Sequence, residues 1–273
     1  MEKFQLTPFT TIEGIGATSG LVYLDHSLFI VSDNSTFLYQ YNIDEKVLEK
    51  IQLFENSQES IAKKDKADFE VLTLFDNKLY LFGSGSTKRR EIRVAFNLES
   101  KEVKEKNLSK IYKRLRETIS LADDELNIEG VIITPNTKYY FQRGNGITGQ
   151  NGVFIFNRNG KDKIQFVAFE LPQIKSVAVT FTDAILVEDT IYFLATAEDT
   201  CSTYNDGEVL GSIIGTIDLK TLTLTSCIQI SDKHKFEGLT LYKKTATQIE
   251  LLLCEDNDTE ELISVIYSLK LTR

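Results

Sequence analysis

The sequence is poor in the residues that build disulfide frameworks, soft-metal centres and membrane spans. It has no tryptophan, two histidines and three cysteines in 273 residues. Cys201, Cys227 and Cys254 are too few and too far apart for a disulfide framework or a paired-cysteine metal site. No apolar run approaches the roughly 18 residues that cross a bilayer, so a transmembrane helix and a membrane partner are excluded. The first ten residues contain no continuous apolar stretch after Lys3, which predicts a cytoplasmic protein unless a leader was removed before residue 1.

Positive charge is also in deficit. The chain has 31 Lys and Arg against 40 Asp and Glu, a net charge of −9. A field of this sign repels phosphate backbones, so nucleic acid is not expected as a partner. One local basic run, formed by Lys110, Lys113, Arg114 and Arg116, is typical of the solvated face of a helix. A soluble, acidic monomer is predicted.

The informative feature is an internal repeat of strand-forming segments. Each copy has a polar anchor, an apolar strand, a turn and a second strand rich in Tyr, Phe and Leu. The copies are Thr18 to Val31, Phe69 to Phe82, Ile128 to Phe141, Thr182 to Ala195 and Phe236 to Leu253. The anchors are Ser19, Glu70, Glu129, Asp183 and Glu237, which are 51, 59, 54 and 54 residues apart. This period suits one four-stranded propeller blade with its connection.

The repeat predicts an all-β fold, a five-bladed β-propeller that uses residues 1–273 as one domain. The fifth copy has one strand left after its hairpin, Glu261 to Leu271. Residues Phe4 to Ile12 can supply its missing outer strand, because a propeller closes its ring without a raw edge. One helix is predicted at Leu108 to Leu121, as a flap over one face in a connecting loop.

Hairpin geometry predicts that the anchors meet at one mouth of the central channel. The start of an inner strand and the end of its partner share one edge of the sheet. Two carboxylates about 6 Å apart repel by about 3 kcal/mol at an effective dielectric of 20. A hard cation with oxygen ligands would relieve the repulsion, so we expect Ca²⁺ on the axis. Its ligands would be Ser19, Glu70, Glu129, Asp183 and Glu237. The alternative is that the anchors only bind backbone N–H groups of neighbouring strands.

The segments that follow each second strand place further polar residues at this mouth. Lys88, Arg89, Arg143 and Asn34 are the candidates for binding an anionic substrate. Arg143, Glu198 and Asp33 are the candidates for catalysis, with a carboxylate that orients water beside the metal. Simple salt bridges among these side chains are the alternative.

The anchors and their neighbours also resemble a known family. The order Ser, Glu, Glu, Asp, Glu, in the contexts TSGL, FEV, IEGV, FTDA and KFEGL, is similar to that of the calcium-activated nucleotidases, or apyrases. The resemblance implies a five-bladed propeller with an axial calcium. That family has Ser where Asp183 stands, and Asp-Asp-Arg-Thr-Gly where this chain has Ser32 to Thr36. The repeat also resembles uncharacterised, esterase-like or phytase-like bacterial propellers.

Two functions follow as hypotheses. The first is a calcium-dependent hydrolase of a small phosphorylated or otherwise anionic molecule at the channel mouth. The second is a non-catalytic propeller with structural calcium, whose loop face binds a ligand or a protein partner. The absence of the nucleotidase arginine favours the second hypothesis, and the positive groups at the mouth favour the first.

Overall fold

The computed structural model describes residues 4–158, 163–200, 207–256 and 261–272. These residues form five antiparallel sheets, one for each predicted blade. In chain order the strands are β1 (Phe4–Glu13), β2 (Thr18–Leu24), β3 (Ser27–Ser32), β4 (Phe37–Asn42), β5 (Val47–Gln52), β6 (Phe69–Phe75), β7 (Lys78–Gly83), β8 (Ile92–Asn97), β9 (Val103–Asn107), β10 (Ile128–Ile133), β11 (Thr137–Gln142), β12 (Gly152–Asn157), β13 (Gln165–Ala168), β14 (Gln173–Ile174), β15 (Val177–Val187), β16 (Thr190–Asp199), β17 (Glu208–Asp218), β18 (Thr223–Ser231), β19 (Phe236–Lys244), β20 (Gln248–Glu255) and β21 (Ile263–Thr272).

Each blade is a meander, and the innermost strands β2, β6, β10, β15 and β19 lie next to one another around a ring. In the fifth blade the order is β1-β21-β20-β19, and β1 pairs with β21 from Phe4 opposite Leu271 to Glu13 opposite Ile263. The predicted five-bladed propeller and its closure by the N-terminal strand are therefore confirmed. The short strand β14 adds a fifth member to the fourth sheet, which the sequence did not indicate.

Tight turns join the inner strands where the sequence offers residues that tolerate positive φ. Asp25 and His26 have φ values of 46° and 62°, and Asp76 and Asn77 have 51° and 57°. Two successive residues of this kind match the right-handed twist of a hairpin, and Asp and Asn adopt this conformation at low cost. The turns lie at the far end of the strands from the anchors, so they fix the register that brings the anchors together.

The core consists of apolar clusters between neighbouring blades rather than one central cluster, because the axis is lined by polar side chains. Phe181 on β15 is fully buried, and its ring packs edge-on against Phe141 of the third blade and Phe193 of its own blade at 5.3 and 5.0 Å. Such clusters hold adjacent blades together through apolar burial.

The helix α1 (Ser109–Ile119) is docked into the core between the second and third blades. Tyr112 and Leu115 are fully buried, and the Tyr112 hydroxyl donates a hydrogen bond to the carbonyl of Gly83 at 2.8 Å. The helix α1 is thus part of the interface between the two blades, and not the flap over one face that the sequence predicted. In the described part of the chain, no helix has the length and apolar character to cross a membrane.

Candidate functional site

Every innermost strand contains a β-bulge at its anchor. The pairing of each inner hairpin skips one residue, which a bulge leaves unpaired and re-aims. The skipped residues are Ser19, Glu70, Glu129, Thr182 and Glu237. The fourth blade therefore presents Thr182 at the position equivalent to the other anchors, and Asp183 lies one residue further along. The sequence analysis chose Asp183 as the fourth anchor because it is acidic like three of the others. The strand pairing shows that the equivalent position is one residue earlier, at Thr182.

The hydroxyl anchors link neighbouring blades. Ser19 Oγ donates to the carbonyl of Phe69 at 2.5 Å, and Thr182 Oγ1 donates to the carbonyl of Phe236 at 2.6 Å. In both cases the acceptor is the residue just before the anchor of the next blade. Ser19 and Thr182 are thus structural equivalents in contact as well as in register.

Asp183 binds the backbone. Its carboxylate accepts hydrogen bonds from the N–H of Leu239 in the next blade and from the N–H of Ala184, both at 2.7 Å. Burial raises the pKa of Asp183 well above its usual range, against the lowering effect of these two donors. This geometry matches the backbone-binding alternative that the sequence left open, and it leaves the role of Asp183 as a metal ligand without support.

Glu129 and Glu237 converge on one buried guanidinium, although their anchors belong to the third and fifth blades. Arg143 Nη1 lies 3.4 Å from Glu129 Oε1 and 3.7 Å from Glu237 Oε1, and Nη2 lies 2.5 Å from Glu198 Oε2. Arg143 is 4% exposed, and these carboxylates raise its pKa against the effect of burial. The side chain expected to bind substrate therefore already forms ion pairs with three acids.

A second internal cation lies beside the same pair. Lys235 Nζ contacts Glu237 Oε1 at 3.1 Å and Asp256 Oδ2 at 3.2 Å, and Lys235 is buried. Glu129 also accepts a hydrogen bond from Asn127 Nδ2 at 2.7 Å. The repulsion that predicted a bound cation is thus relieved in part by the side chains of the chain itself.

Glu70 is the anchor that these cations leave without a direct partner. Among the described residues, no side chain forms a hydrogen bond or ion pair with its carboxylate. Its pKa is raised well above the usual range by burial first and then by Asp68, Glu129 and Glu237. One carboxylate oxygen each from Asp33, Asp68 and Glu70 lies within 4.8 Å of the other two. We call these three residues the acidic triplet.

Two basic side chains border the acidic triplet. Lys66 forms ion pairs with Asp33 and, at 2.9 Å, with Asp68. Arg90 Nη1 contacts Asp68 Oδ2 at 2.7 Å. Within the described residues, the network of contacts at the mouth joins seven acids, not counting the backbone-bound Asp183, with four basic side chains. The acids are Asp33, Asp68, Glu70, Glu129, Glu198, Glu237 and Asp256, and the bases are Lys66, Arg90, Arg143 and Lys235. Acid exceeds base, so protons or a cation are needed for neutrality.

In the described part of the chain, the other side chains predicted for this site form no hydrogen bond or ion pair with these acids and bases. Lys88 is exposed, and the side chain of Arg89 is 62% exposed with a distant contact to Asp65 at 3.8 Å. Asn34 is half-buried, and its Oδ1 accepts a hydrogen bond from Ser32 Oγ at 3.0 Å. The buried cation of that segment is Arg90, which the sequence analysis passed over.

Three of the missed residues share one position of the repeat. Each stands two residues before an anchor, just ahead of the innermost strand. Asp68, Asn127 and Lys235 stand two residues before Glu70, Glu129 and Glu237, respectively. Reading this second position in every repeat would have found two ionic residues, Asp68 and Lys235, and one hydrogen-bond donor, Asn127. Cys227 and Cys254 are free thiols, and Cys201 lies outside the described residues.

Several solved structures have a fold similar to that of this chain. The glutaminyl cyclase of Myxococcus xanthus is 11% identical, with 98% of this chain and 96% of that chain covered and a TM-score of 0.56. The PQQ-bound form of aldose sugar dehydrogenase from Streptomyces coelicolor is 9% identical, with 98% of both chains covered and a TM-score of 0.55. The α-L-arabinofuranosidase PaAbf62A from Podospora anserina, in complex with cellotriose, is 9% identical, with 95% and 91% covered and a TM-score of 0.54.

These similarities establish the fold alone, because the identities are too low to carry an activity. They support the propeller that the nucleotidase resemblance implied, but not that family in particular. A comparison with curated proteins gives no significant match. Residues 14–271 match the family of unknown function DUF6929, and the chain belongs to this family.

Proposed function

We propose that the channel mouth is the active site of a calcium-dependent hydrolase that acts on a small anionic molecule. The single observation that carries this proposal is Glu70, a half-buried carboxylate that lies beside two further acids and has no direct partner among the described residues. A charge in this position is costly unless it is protonated or paired with a cation. The solved relatives include a glutaminyl cyclase, a sugar dehydrogenase and an arabinofuranosidase, so related propellers support catalysis of several kinds.

The acidic triplet suits a hard divalent ion. Ca²⁺ takes six to eight oxygen ligands at about 2.3–2.6 Å, and oxygens within 4.8 Å of one another can surround one such ion. Histidine and cysteine are absent from the triplet, which disfavours softer metals. Lys66 competes for the same carboxylates, so the ion would be held by Glu70, Asp68 and Asp33 with Lys66 turned aside. The proposed ligands therefore keep Glu70 of the predicted ring and replace the rest of it by Asp68 and Asp33.

When bound, Ca²⁺ would polarise a phosphoryl or carboxyl oxygen of the substrate. The remaining roles belong to the chain. Asp33 directly follows β3, its side chain is 19% exposed against 4% for Asp68, and it accepts a proton from the attacking water. Burial raises the pKa of Glu129 against the lowering effect of Arg143 and Lys235, and Arg143 holds this carboxylate in place beside the triplet. Arg143 is a positioning residue that orients Glu129, Glu198 and Glu237.

Calcium binding is tested first by thermal unfolding of protein depleted of divalent ions with a chelator. A ligand at 100 times its dissociation constant stabilises by about 2.7 kcal/mol, which corresponds to about 5 °C for a chain of this size. We expect Ca²⁺ to raise the melting temperature of the wild type and to leave that of Glu70→Gln unchanged. The matched control is Glu49→Gln, an exposed carboxylate on β5 that should keep the full shift.

Catalysis is tested separately on a panel of nucleotides, phosphomonoesters and carboxylic esters. We expect turnover of at least one class with Ca²⁺, loss of that turnover in Glu70→Gln and in chelator, and retention in Glu49→Gln. A calcium-dependent melting shift without any turnover would refute the hydrolase and leave the non-catalytic propeller. The absence of both effects would refute the metal site as well.

A further inference from the structure

A second site lies away from the mouth, in the cleft between the second and third blades. The cleft encloses a cavity of about 480 Å³ next to the start of α1. Half of its twelve lining residues are basic, and among these lining residues none is acidic. The basic ones are Arg93, Lys106, Lys110, Arg114, Lys138 and Arg158. We call this cavity the basic cleft.

The concentration of charge in the basic cleft runs against the composition of the chain, which has a net charge of −9. The strand register places Arg93 of β8 directly opposite Lys106 of β9. Like charges in this relation destabilise a sheet. Among the described residues, Arg93, Lys106 and Lys138 form no ion pair with a carboxylate that would offset this cost.

An unsatisfied donor provides a second, independent indication of a ligand. Arg93 Nε is buried and has no hydrogen-bond partner in the described structure. Its guanidinium carbon lies 5.0 Å from the centre of the Tyr80 ring, which holds the side chain in place. Buried donors are almost always paired, so this one calls for an acceptor.

The charges also act on one another. Lys138 is half-buried, and its pKa is lowered to about 8 by burial first and then by Arg93, Lys106 and Arg158. The N-terminal turn of α1 lines the same cavity, and the partial positive charge of a helix N-terminus also favours anions. All of these features favour negative charge in the basic cleft.

Apart from Asn107 and Ser109, the rest of the lining is apolar or aromatic. Leu108, Tyr140 and Phe156 are buried, Ile111 is half-buried, and the Tyr140 and Phe156 rings pack edge-on at 5.0 Å. The volume lies within the range of small-molecule sites and exceeds the need of a single inorganic ion. Phosphate groups offer the most charge for their size and match both arginine forks and lysine ammonium groups.

We propose that the basic cleft binds a small organic polyphosphate, a molecule with at least two phosphate groups and an apolar or planar portion. The phosphates contact the arginine and lysine side chains, and the organic portion lies against Tyr140, Phe156 and Ile111. This site shares no residue with the mouth and does not depend on the function proposed there.

The test is isothermal titration in EDTA at 150 mM salt and pH 7, with ADP, pyrophosphate and inorganic phosphate as probes. EDTA removes any contribution of a metal-dependent mouth. We expect ADP and pyrophosphate to bind with micromolar dissociation constants, and inorganic phosphate to bind at least tenfold more weakly. The double variant Lys106→Glu/Lys110→Glu should weaken ADP binding at least tenfold. Both positions are exposed, so the variant should fold and melt within about 2 °C of the wild type.

The matched control is Lys104→Glu/Lys113→Glu. It makes the same change in net charge on the same strand and the same helix, at exposed positions outside the lining. At this salt concentration charges more than about 8 Å apart are largely screened, so we expect a loss of no more than about threefold. An equal loss in both double variants would overturn the proposal. So would the absence of ADP binding at 5 mM, phosphate binding as tight as that of ADP, or tighter binding of a single-stranded oligonucleotide.

Discussion

Replacing Arg143 by methionine tests whether the mouth is held together by its own cations. Methionine keeps much of the length of the side chain and removes the charge, so three buried acids lose their shared partner. Breaking a buried ion pair by removing one member costs about 3–5 kcal/mol. Each acid keeps one other donor. Glu129 keeps Asn127 at 2.7 Å, Glu237 keeps Lys235 at 3.1 Å, and Glu198 keeps the N–H of Gly207 at 2.8 Å.

We therefore expect the lower end of that range, about 3 kcal/mol, or about 5 °C in melting temperature. The assay is urea unfolding at pH 7 followed by circular dichroism. The triple variant Arg143→Met/Glu129→Gln/Glu237→Gln should regain part of the loss, because two of the uncompensated charges are gone.

The control is Arg89→Met, an exposed arginine of the same mouth segments with a contact of 3.8 Å to Asp65. Exposed ion pairs contribute about 0–1 kcal/mol, so this change should be nearly neutral. Two results would refute the reasoning: a loss below about 1 kcal/mol in Arg143→Met, or a triple variant that is less stable than Arg143→Met alone.

Three further predictions concern other parts of the molecule. Because the folded-state pKa of Glu70 is raised, its contribution to stability is present at low pH and is lost as the pH rises through that pKa. Metal-free Glu70→Gln should therefore lose less unfolding free energy between pH 5 and pH 8 than the wild type. An equal dependence of unfolding free energy on pH in the two proteins would contradict this. Phe181→Ala should cost about 3–5 kcal/mol in urea unfolding, because the side chain is fully buried between two blades; a loss under about 1 kcal/mol would mean that the interface collapses around the gap. Binding of an anion in the basic cleft should raise the pKa of Lys138 from about 8, because the anion stabilises the protonated lysine. The affinity for ADP should therefore fall from pH 7 to pH 9 in the wild type and fall less in Lys138→Met. Equal ADP affinities of the wild type at both pH values would argue against contact with this lysine.

Much of the fold could be predicted from the sequence, since the repeat has a nearly constant period and every copy opens on a recognisable anchor. The closure of the fifth blade followed from a count of strands, and the structure confirms it. The position of the fourth anchor could not be read in this way. Thr182 and Asp183 are adjacent polar residues, and only the skipped pairing in the hairpin shows which of them occupies the equivalent place.

The chemistry of the mouth was harder to predict from the sequence than the fold. Sequence reasoning counted the acids and inferred that something must neutralise them, which predicted a metal. Lys66 and Lys235 were overlooked, because they stand outside the anchors, and for Arg143 substrate binding and salt bridges to its neighbours both stayed open. Which acid a given cation contacts depends on side-chain reach across the axis, for example from Arg143 in the third blade to Glu237 in the fifth. A one-dimensional pattern does not contain this information.

The pairing of β1 with β21 has a consequence for the way in which the protein is made. Phe4 lies opposite Leu271, so β1 leaves the ribosome long before β21 and stays unpaired until β21 arrives to complete the ring. The entropic cost of such a long closure grows only with the logarithm of the chain length, but contacts this distant form slowly. Until then β21 has an open edge, which another nascent copy could occupy. A circular permutant that begins at β2 and carries β1 behind β21 would place the two partners in one local hairpin, and its refolding should be faster and less prone to aggregation.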